Sequence, residues 1–330
     1  MPVFSSVLEM NISDAYFDLN GFLDGCQVFL KLEGLNPAKS IKFKTAVRLI
    51  ADLERQRKIT PGVTRIIESS SGNLGVALSI VCAERGYEFT CVVDPNVSGT
   101  ALRLMRVYGA SIVMVHEQHG DGGYLAARIR TIERLLRTDD RLVWTNQYAS
   151  RSNMLAHLKG TAAEVWKHFP DLDFLFVGAG STGTLMGCAE YKRRYRCRTR
   201  LVAVEPEGSI LSGGPAGERF IPGLGTSVRP PIFDPAVIDV WVKPDERMTV
   251  DVATRVLEET RLLIGGSTAT VLAGVRLMER EIPSGSTIVV ISPDFGDAYL
   301  ETIYSRSWVD RTYGAPLVAP PRRKAERCSP

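Results

Sequence analysis

The chain has 330 residues, 45% of them hydrophobic and 23% charged, with a formal net charge of +3, which excludes a largely disordered protein and leaves room for two subdomains around a substantial core. No run of about eighteen apolar residues occurs, and the opening MPVFSSVLEM lacks a basic stretch followed by an apolar one, so neither a membrane span nor a secretory leader is expected and the expected location is cytoplasmic. The six cysteines are scattered without a C-x-x-C, which suggests reduced thiols rather than disulfides or a zinc site.

In chain order, the first helix is expected at TAVRLIADLERQRK (45–58), from apolar residues at three- and four-residue spacing. Strands follow at TRIIES (64–69), FTCVVDP (89–95), SIVMVHE (111–117) and LVWTNQ (142–147), with helices at NLGVALSIVCAERG (73–86) and GTALRLMRVYGA (99–110) between them. Further strands are expected at DFLFVGAG (173–180), RLVAVEPE (200–207) and STIVVISPD (286–294). Alternation of this kind predicts an α/β protein with two open, mainly parallel sheets, whose ligands sit beyond the carboxyl ends of the strands. His116 and His119 form a lone H-x-x-H, too little for a metal, so no metal is expected. YKRRYRCRTR (191–200) reads as a solvated helix end rather than a nucleic-acid patch. RTYGAPLVAPPRRKAERCSP (311–330), rich in Pro and Arg, reads as a disordered tail.

Four loops carry chemistry. In NPAKSIKFK (36–44), Asn36-Pro37 breaks the chain, Ser40 can cap a helix, and Lys42 falls in its first turn. There the helix dipole disfavours an ammonium and frees the amine, which makes Lys42 a candidate nucleophile; an ordinary solvent-facing lysine is the alternative. Ser69-Ser70-Ser71-Gly72-Asn73 joins a strand to a helix and offers amides and hydroxyls to a carboxylate, or simply caps the helix. Gly178-Ala179-Gly180-Ser181-Thr182-Gly183 is a literal G-x-G-x-x-G, and with Glu205 after the next strand it also fits a dinucleotide site. In LLIGGSTATVLAG (262–274), Gly265-Gly266 allows close approach and Ser267 can cap the next helix.

Together, over about residues 25–305, these pieces resemble the fold-type II pyridoxal-phosphate (PLP) enzymes, the cysteine synthases and cystathionine β-synthases. The resemblance rests on Asn36-Pro37 with Ser40-x-Lys42, Ser70-Ser71-Gly72-Asn73, Asn146-Gln147-Tyr148, Gly180-Ser181-Thr182-Gly183-Thr184, Pro222-Gly223-x-Gly225, Gly266-Ser267 and Pro293-Asp294-x-Gly296-Asp297. It implies a cofactor cleft between a larger part (1–40 and 151–310) and a smaller, movable part (41–150), in a homodimer. Lys42 would hold the cofactor and shuttle the α-proton, Asn73 would contact the ring hydroxyl, residues 180–184 would bind the cofactor phosphate, and Ser267 would face the ring nitrogen. Ser69, Ser70 and Gln147 would take the substrate carboxylate, and the 69–73 loop, with Ser71 and Gly72, would close over the substrate.

Within that family the chain looks like the branch that makes N-(2-amino-2-carboxyethyl)-L-glutamate, a precursor of 2,3-diaminopropionate in siderophore and peptide-antibiotic pathways. The shared stretches are ESSSGNLG, TCVVDPNVS, GGYLAARI, NQYA, GSTGTLMG, PGLGTS, IGGSTAT and PDFGDAYL. In that branch O-phospho-L-serine loses phosphate to leave an aminoacrylate, and the amine of L-glutamate adds to it. Arg128, Tyr148 and Ser181 stand where the branch handles phosphoserine. Phe43-Lys44 replaces the usual Asp-Arg after the lysine, the early Gly-x-Thr-Pro-Leu is missing, and the usual Gly-Thr-Gly-Gly-Thr loop is altered. A cysteine synthase or phosphoserine sulfhydrylase is the nearest rival, a nicotinamide-binding dehydrogenase a distant one, and a catalytically silent homologue the last.

Overall fold

The computed structural model describes residues 3–12, 14–118 and 123–314. His119 and residues 315–330 of the Pro- and Arg-rich end therefore lie outside the described residues. Ten strands, β1 (Tyr16–Asp18), β2 (Gln27–Leu32), β3 (Arg65–Ser69), β4 (Glu88–Val93), β5 (Ser111–Met114), β6 (Leu142–Trp144), β7 (Phe174–Gly178), β8 (Arg200–Val204), β9 (Val240–Val242) and β10 (Thr287–Ser292), make two sheets. One is six-stranded in the order β1-β2-β10-β7-β8-β9, the other four-stranded in the order β5-β4-β3-β6. Every pairing is parallel except that of β1 with β2.

Central strands such as RIIES, EFTCVV and TIVVIS are buried along nearly their whole length, as expected where helices cover both faces of a parallel sheet. The helices are α1 (Lys42–Arg55), α2 (Asn73–Arg85), α3 (Gly99–Val107), α4 (Gly123–Leu136), α5 (Arg151–His157), α6 (Ala163–His168), α7 (Gly183–Tyr195), α8 (Glu246–Thr260), α9 (Gly266–Leu277) and α10 (Arg306–Tyr313). A π-helical turn, Leu158–Ala162, joins α5 to α6. No described helix is long and apolar enough to cross a membrane.

Three strands escape the sequence pattern. β1 and β9 have three residues each, too few for a periodicity. β2 reads QVFLKL, yet Lys31 within it is fully buried. Its ammonium is 3.2 Å from Glu33 and 2.7 Å from Glu164, while Lys44 of α1 lies 2.9 Å from Glu33 and 2.7 Å from Glu164. Burial of the charge is tolerable because opposite charges and hydrogen bonds surround it. Two other expectations are corrected. Arg311–Tyr313, read as the start of the tail, close α10, where Tyr313 donates to Glu246 at 2.8 Å. Ser40 does not cap α1: the N-cap is Ile41 without a side-chain bond, and Ser40 Oγ is buried with no partner, because Ser40 is drawn into a short bridge with Asp294. Half of the basic residues at 191–200 are ion-paired, Arg193 and Arg194 with Glu190 and Lys192 with Asp239.

Parallel register brings the site loops together. Leu32 is level with Ser292, and β7 lies on the other side of β10. The loops after β2, β7 and β10 therefore leave the same edge of the six-stranded sheet. The loop after β3, from the smaller sheet, faces them.

Candidate active site

These loops enclose a cavity of about 310 Å³ that contains Lys42, residues 69–74, Arg128, Gln147, Tyr148, residues 180–184, Ser267 and Asp294. Every residue that the resemblance gives to cofactor or substrate lines it. Lys42 is the first residue of α1, whose first turn has no acidic residue. Asn36 sets that start: its Nδ2 donates to the carbonyls of Glu33 and Ser40, and its Oδ1 accepts from the Ala38 and Ser40 amides. Burial pushes the Lys42 amine down to about 8, against the opposing pull of Asp294 and Glu68. Its Nζ donates to Ser181 Oγ at 3.1 Å.

The serine loop divides its labour. Ser70 Oγ accepts from the amides of Gly72 (3.3 Å) and Gly75 (3.0 Å), so it secures the start of α2. Ser71 Oγ donates to Asp94 at 2.8 Å and accepts from Arg128 at 3.0 Å. Ser69 Oγ is buried with no partner. Beneath it Glu68, fully buried, accepts from the Ser69 amide (2.6 Å), Trp144 Nε1 (2.9 Å), Thr145 Oγ1 (2.6 Å) and the Gln147 amide (3.0 Å). Burial raises its pKa, and these four donors hold the carboxylate against that trend. One carboxylate thus fixes both the serine loop and the Asn146–Tyr148 turn. Tyr148 reaches the cavity with its phenol pushed further up by burial.

Across the cavity, Thr182 caps α7 in a left-handed conformation (φ 64°) with its hydroxyl buried and unpartnered. A Cβ on Gly183 would clash with the side-chain amide of Asn153, so only glycine fits. Asn153 Nδ2 donates to Ser181 Oγ at 3.3 Å and to the Gln147 carbonyl at 2.9 Å. Behind it, Thr45 donates to Asn153 Oδ1 (3.2 Å) and meets His157 Nε2 (3.1 Å), whose Nδ1 meets Thr161 Oγ1 (3.2 Å). Lys44 Nζ donates to Thr161 at 3.5 Å. A polar line therefore runs from Lys42 to the buried charge cluster. Burial and the nearby ammoniums hold His157 well below its usual value, so it is neutral.

Asn73 Nδ2 donates to Asp294 Oδ2 at 2.7 Å, as does Tyr299 at 3.1 Å. Asp294 Oδ1 is buried with no partner, and burial pushes the acid up to about 6 despite those donors and Lys42. Ser267 does not cap α9: the N-cap is Gly265 without a side-chain bond, and Ser267, the second residue of the helix, faces Gly223 so closely that a Cβ there would clash with its Oγ. Sequence reasoning assigned no role to Asp294, Asn153 or Glu68. Asp294 stood in a quoted motif, but its neighbours Asn73 and Lys42 are far off in the chain. Glu205 is no ribose ligand: its oxygens accept from the amides of Leu211 (3.1 Å) and Ser212 (2.8 Å), with Lys243 at 3.3 Å.

A half-buried lysine facing a glycine loop at a helix N-terminus, with the unpartnered hydroxyls of Ser69 and Thr182 lining the same cavity, suits one carbonyl-bearing cofactor with a single phosphate. Residues 16–294 match the family described as pyridoxal-phosphate dependent enzyme, and the chain belongs to that family. Among solved structures, it is similar to O-ureido-L-serine synthase at 30% identity, with 91% of this chain and 95% of that one covered and a TM-score of 0.84. A lysine-to-alanine mutant of that synthase with O-ureido-L-serine bound matches at 29% identity, 91% and 93% coverage and a TM-score of 0.85. The O-acetylserine-dependent cystathionine β-synthase of Helicobacter pylori matches at 28% identity, 92% and 100% coverage and a TM-score of 0.85. The protein is a PLP-dependent enzyme of fold type II, and its chemistry is β-replacement of the cysteine-synthase type.

Proposed function

We propose that the enzyme replaces the phosphate of O-phospho-L-serine with the amine of L-glutamate, giving N-(2-amino-2-carboxyethyl)-L-glutamate and inorganic phosphate. Arg128 carries this reading. Its guanidinium lines the cavity beside Ser71, and its Nε lies 3.3 Å from Asp94 without forming a hydrogen bond, so planar donors remain for a phosphate.

When bound, PLP supplies an electron sink for the negative charge that develops at the substrate Cα. The amine of Lys42, free of its proton in a useful fraction near pH 8, holds the cofactor and then takes the Cα proton. Thr182, Gly183, Thr184 and the N-terminus of α7 hold the cofactor phosphate, Asn73 the ring hydroxyl, and Ser267 the ring nitrogen. Ser69 and Gln147 with the amides of residues 70–72 hold the substrate carboxylate. Ser181 Oγ already accepts from Lys42 and Asn153, so its own proton is free to reach the departing oxygen while Arg128 and Tyr148 take the phosphate. The 69–73 loop and the smaller part of the chain (41–150) close over the donor, and the enzyme works as a homodimer.

A second reading uses an acylated serine and sulfide or another small nucleophile. Two observations favour it: Asp94 lies close enough to offset the Arg128 charge, and a similar structure belongs to an O-acetylserine-dependent enzyme. The deciding experiment gives the enzyme phosphoserine or acetylserine with equimolar glutamate and sulfide and identifies products by mass spectrometry. The expected result is the glutamate adduct with stoichiometric phosphate. Turnover confined to acetylserine and sulfide would overturn the proposal.

A further inference from the structure

Past Ser71, Asn73 and Gly223 the catalytic cavity continues into a second one of about 370 Å³, which shares Asp294 with it. Its wall is mostly apolar, with Val76 from α2, Leu104 from α3, Tyr108 just after it, and Phe295. A hydrosulfide ion, close in size to a water of roughly 30 Å³, would leave such a space almost empty. An amino acid with a short methylene chain would occupy several times more of it and cover more of the apolar wall.

Among the described residues, one cation stands at this cavity. Lys39 is 70% exposed, and its ion pair with Asp297 is long (3.8 Å) and equally open to solvent, so it holds the ammonium weakly. Lys39 also has a left-handed backbone (φ 52°), a conformation that glycine or asparagine adopts at lower cost. A long cationic side chain therefore stands, three residues before Lys42, where the backbone disfavours it. Strain of this kind gathers at ligand clamps.

We infer that this second cavity binds the nucleophilic co-substrate, an amino acid whose amine or thiol points toward Asn73 and Asp294 while its distal carboxylate pairs with Lys39. The inference rests on the proposed joining of two amino acids. The amine or thiol forms the new bond to the donor Cβ and loses its proton, and the donor's oxygen leaves with its electron pair.

Two variants test it. Lys39→Asn removes the charge and suits the left-handed backbone, so it should unfold no lower than the wild type; Lys39→Glu reverses the charge. With whichever serine donor the wild type uses held saturating, L-glutamate, L-homocysteine and sulfide are varied in turn. KM for the amino-acid nucleophile should rise about fivefold in Lys39→Asn and further in Lys39→Glu, with preference for it over sulfide falling by the same factors. An unchanged preference in both variants overturns the inference, as does a wild type that accepts sulfide and neither amino acid. If glutamate is refused but homocysteine is accepted with this dependence on Lys39, the glutamate reading fails and the subsite stands.

Discussion

Lys42 combines a buried amine, a helix start without acidic neighbours and a single hydroxyl acceptor. With its pKa near 8, about one-tenth of the amine is unprotonated at pH 7, several hundred times more than for an ordinary lysine. The rate at which PLP joins the apo-protein should therefore climb with pH and level off a little above pH 8, as read from visible absorbance. Lys42→Ala should lose both that absorbance and turnover; a variant keeping both would refute the assignment. Thr182→Gly separates strain from function. Relief of the left-handed threonine should raise the apo-protein's melting point by about 2 °C, while the lost hydroxyl weakens PLP affinity about fivefold, measured by fluorescence titration.

Asp294 gives a pH signature with a definite sign. Its folded-state pKa, near 6, lies above the unfolded value of 3.8, so between those limits the folded protein binds more protons and stability falls as pH rises. The full cost, on the order of 3 kcal/mol, is present above pH 6. Asp294→Asn should stabilise the apo-protein more at pH 7 than at pH 5 in thermal scans; an equal effect at both would sink this reading. Lys42 and the 180–184 loop were legible from the sequence because each breaks a local rule within a few residues. Asp294, Asn153 and Glu68 obey local rules, and their contacts cross more than a hundred, twenty-eight and seventy-odd residues, so no window of sequence exposes them.

At the level of elements, seven strands announce themselves through β-branched runs that end in glycine, serine, asparagine or aspartate. β2 does not, because Lys31 interrupts its apolar run, and the two carboxylates that make this tolerable come from beyond the strand. Lys44→Met should test that cluster: it removes a cation bonded to both Glu33 and Glu164, and the expected loss is about 3 kcal/mol in urea unfolding. Within the smaller sheet, Glu68 ties β3 to the turn after β6. Glu68→Gln places an amide against donors and should cost about 2 kcal/mol and raise KM for the serine donor. A change in stability without a change in KM would mean that the serine loop keeps its shape without this carboxylate.

For the whole molecule, the two sheets follow from strand-helix alternation, but which strands share a sheet does not. The chain starts in the larger sheet, builds the smaller one from β3 to β6, and returns. Closure of the smaller part should appear as slower amide exchange at residues 69–73 on adding donor to the holoenzyme, and light scattering should give twice the mass of the 36.3 kDa chain. The division of the cleft has an evolutionary consequence. Ser71, Asp94 and Arg128, which line one wall of the cavity, hang on the smaller sheet, while Thr182, Gly183 and Ser267 hang on the larger one. Lys42 sits at the seam, its loop pinned to β10 and its helix packed against α2. On the proposed roles, change in the smaller sheet would act first on the grip for the donor's leaving group, and on that sheet only Asn73 touches the cofactor's seat, so donor preference is the property such a scaffold changes most readily.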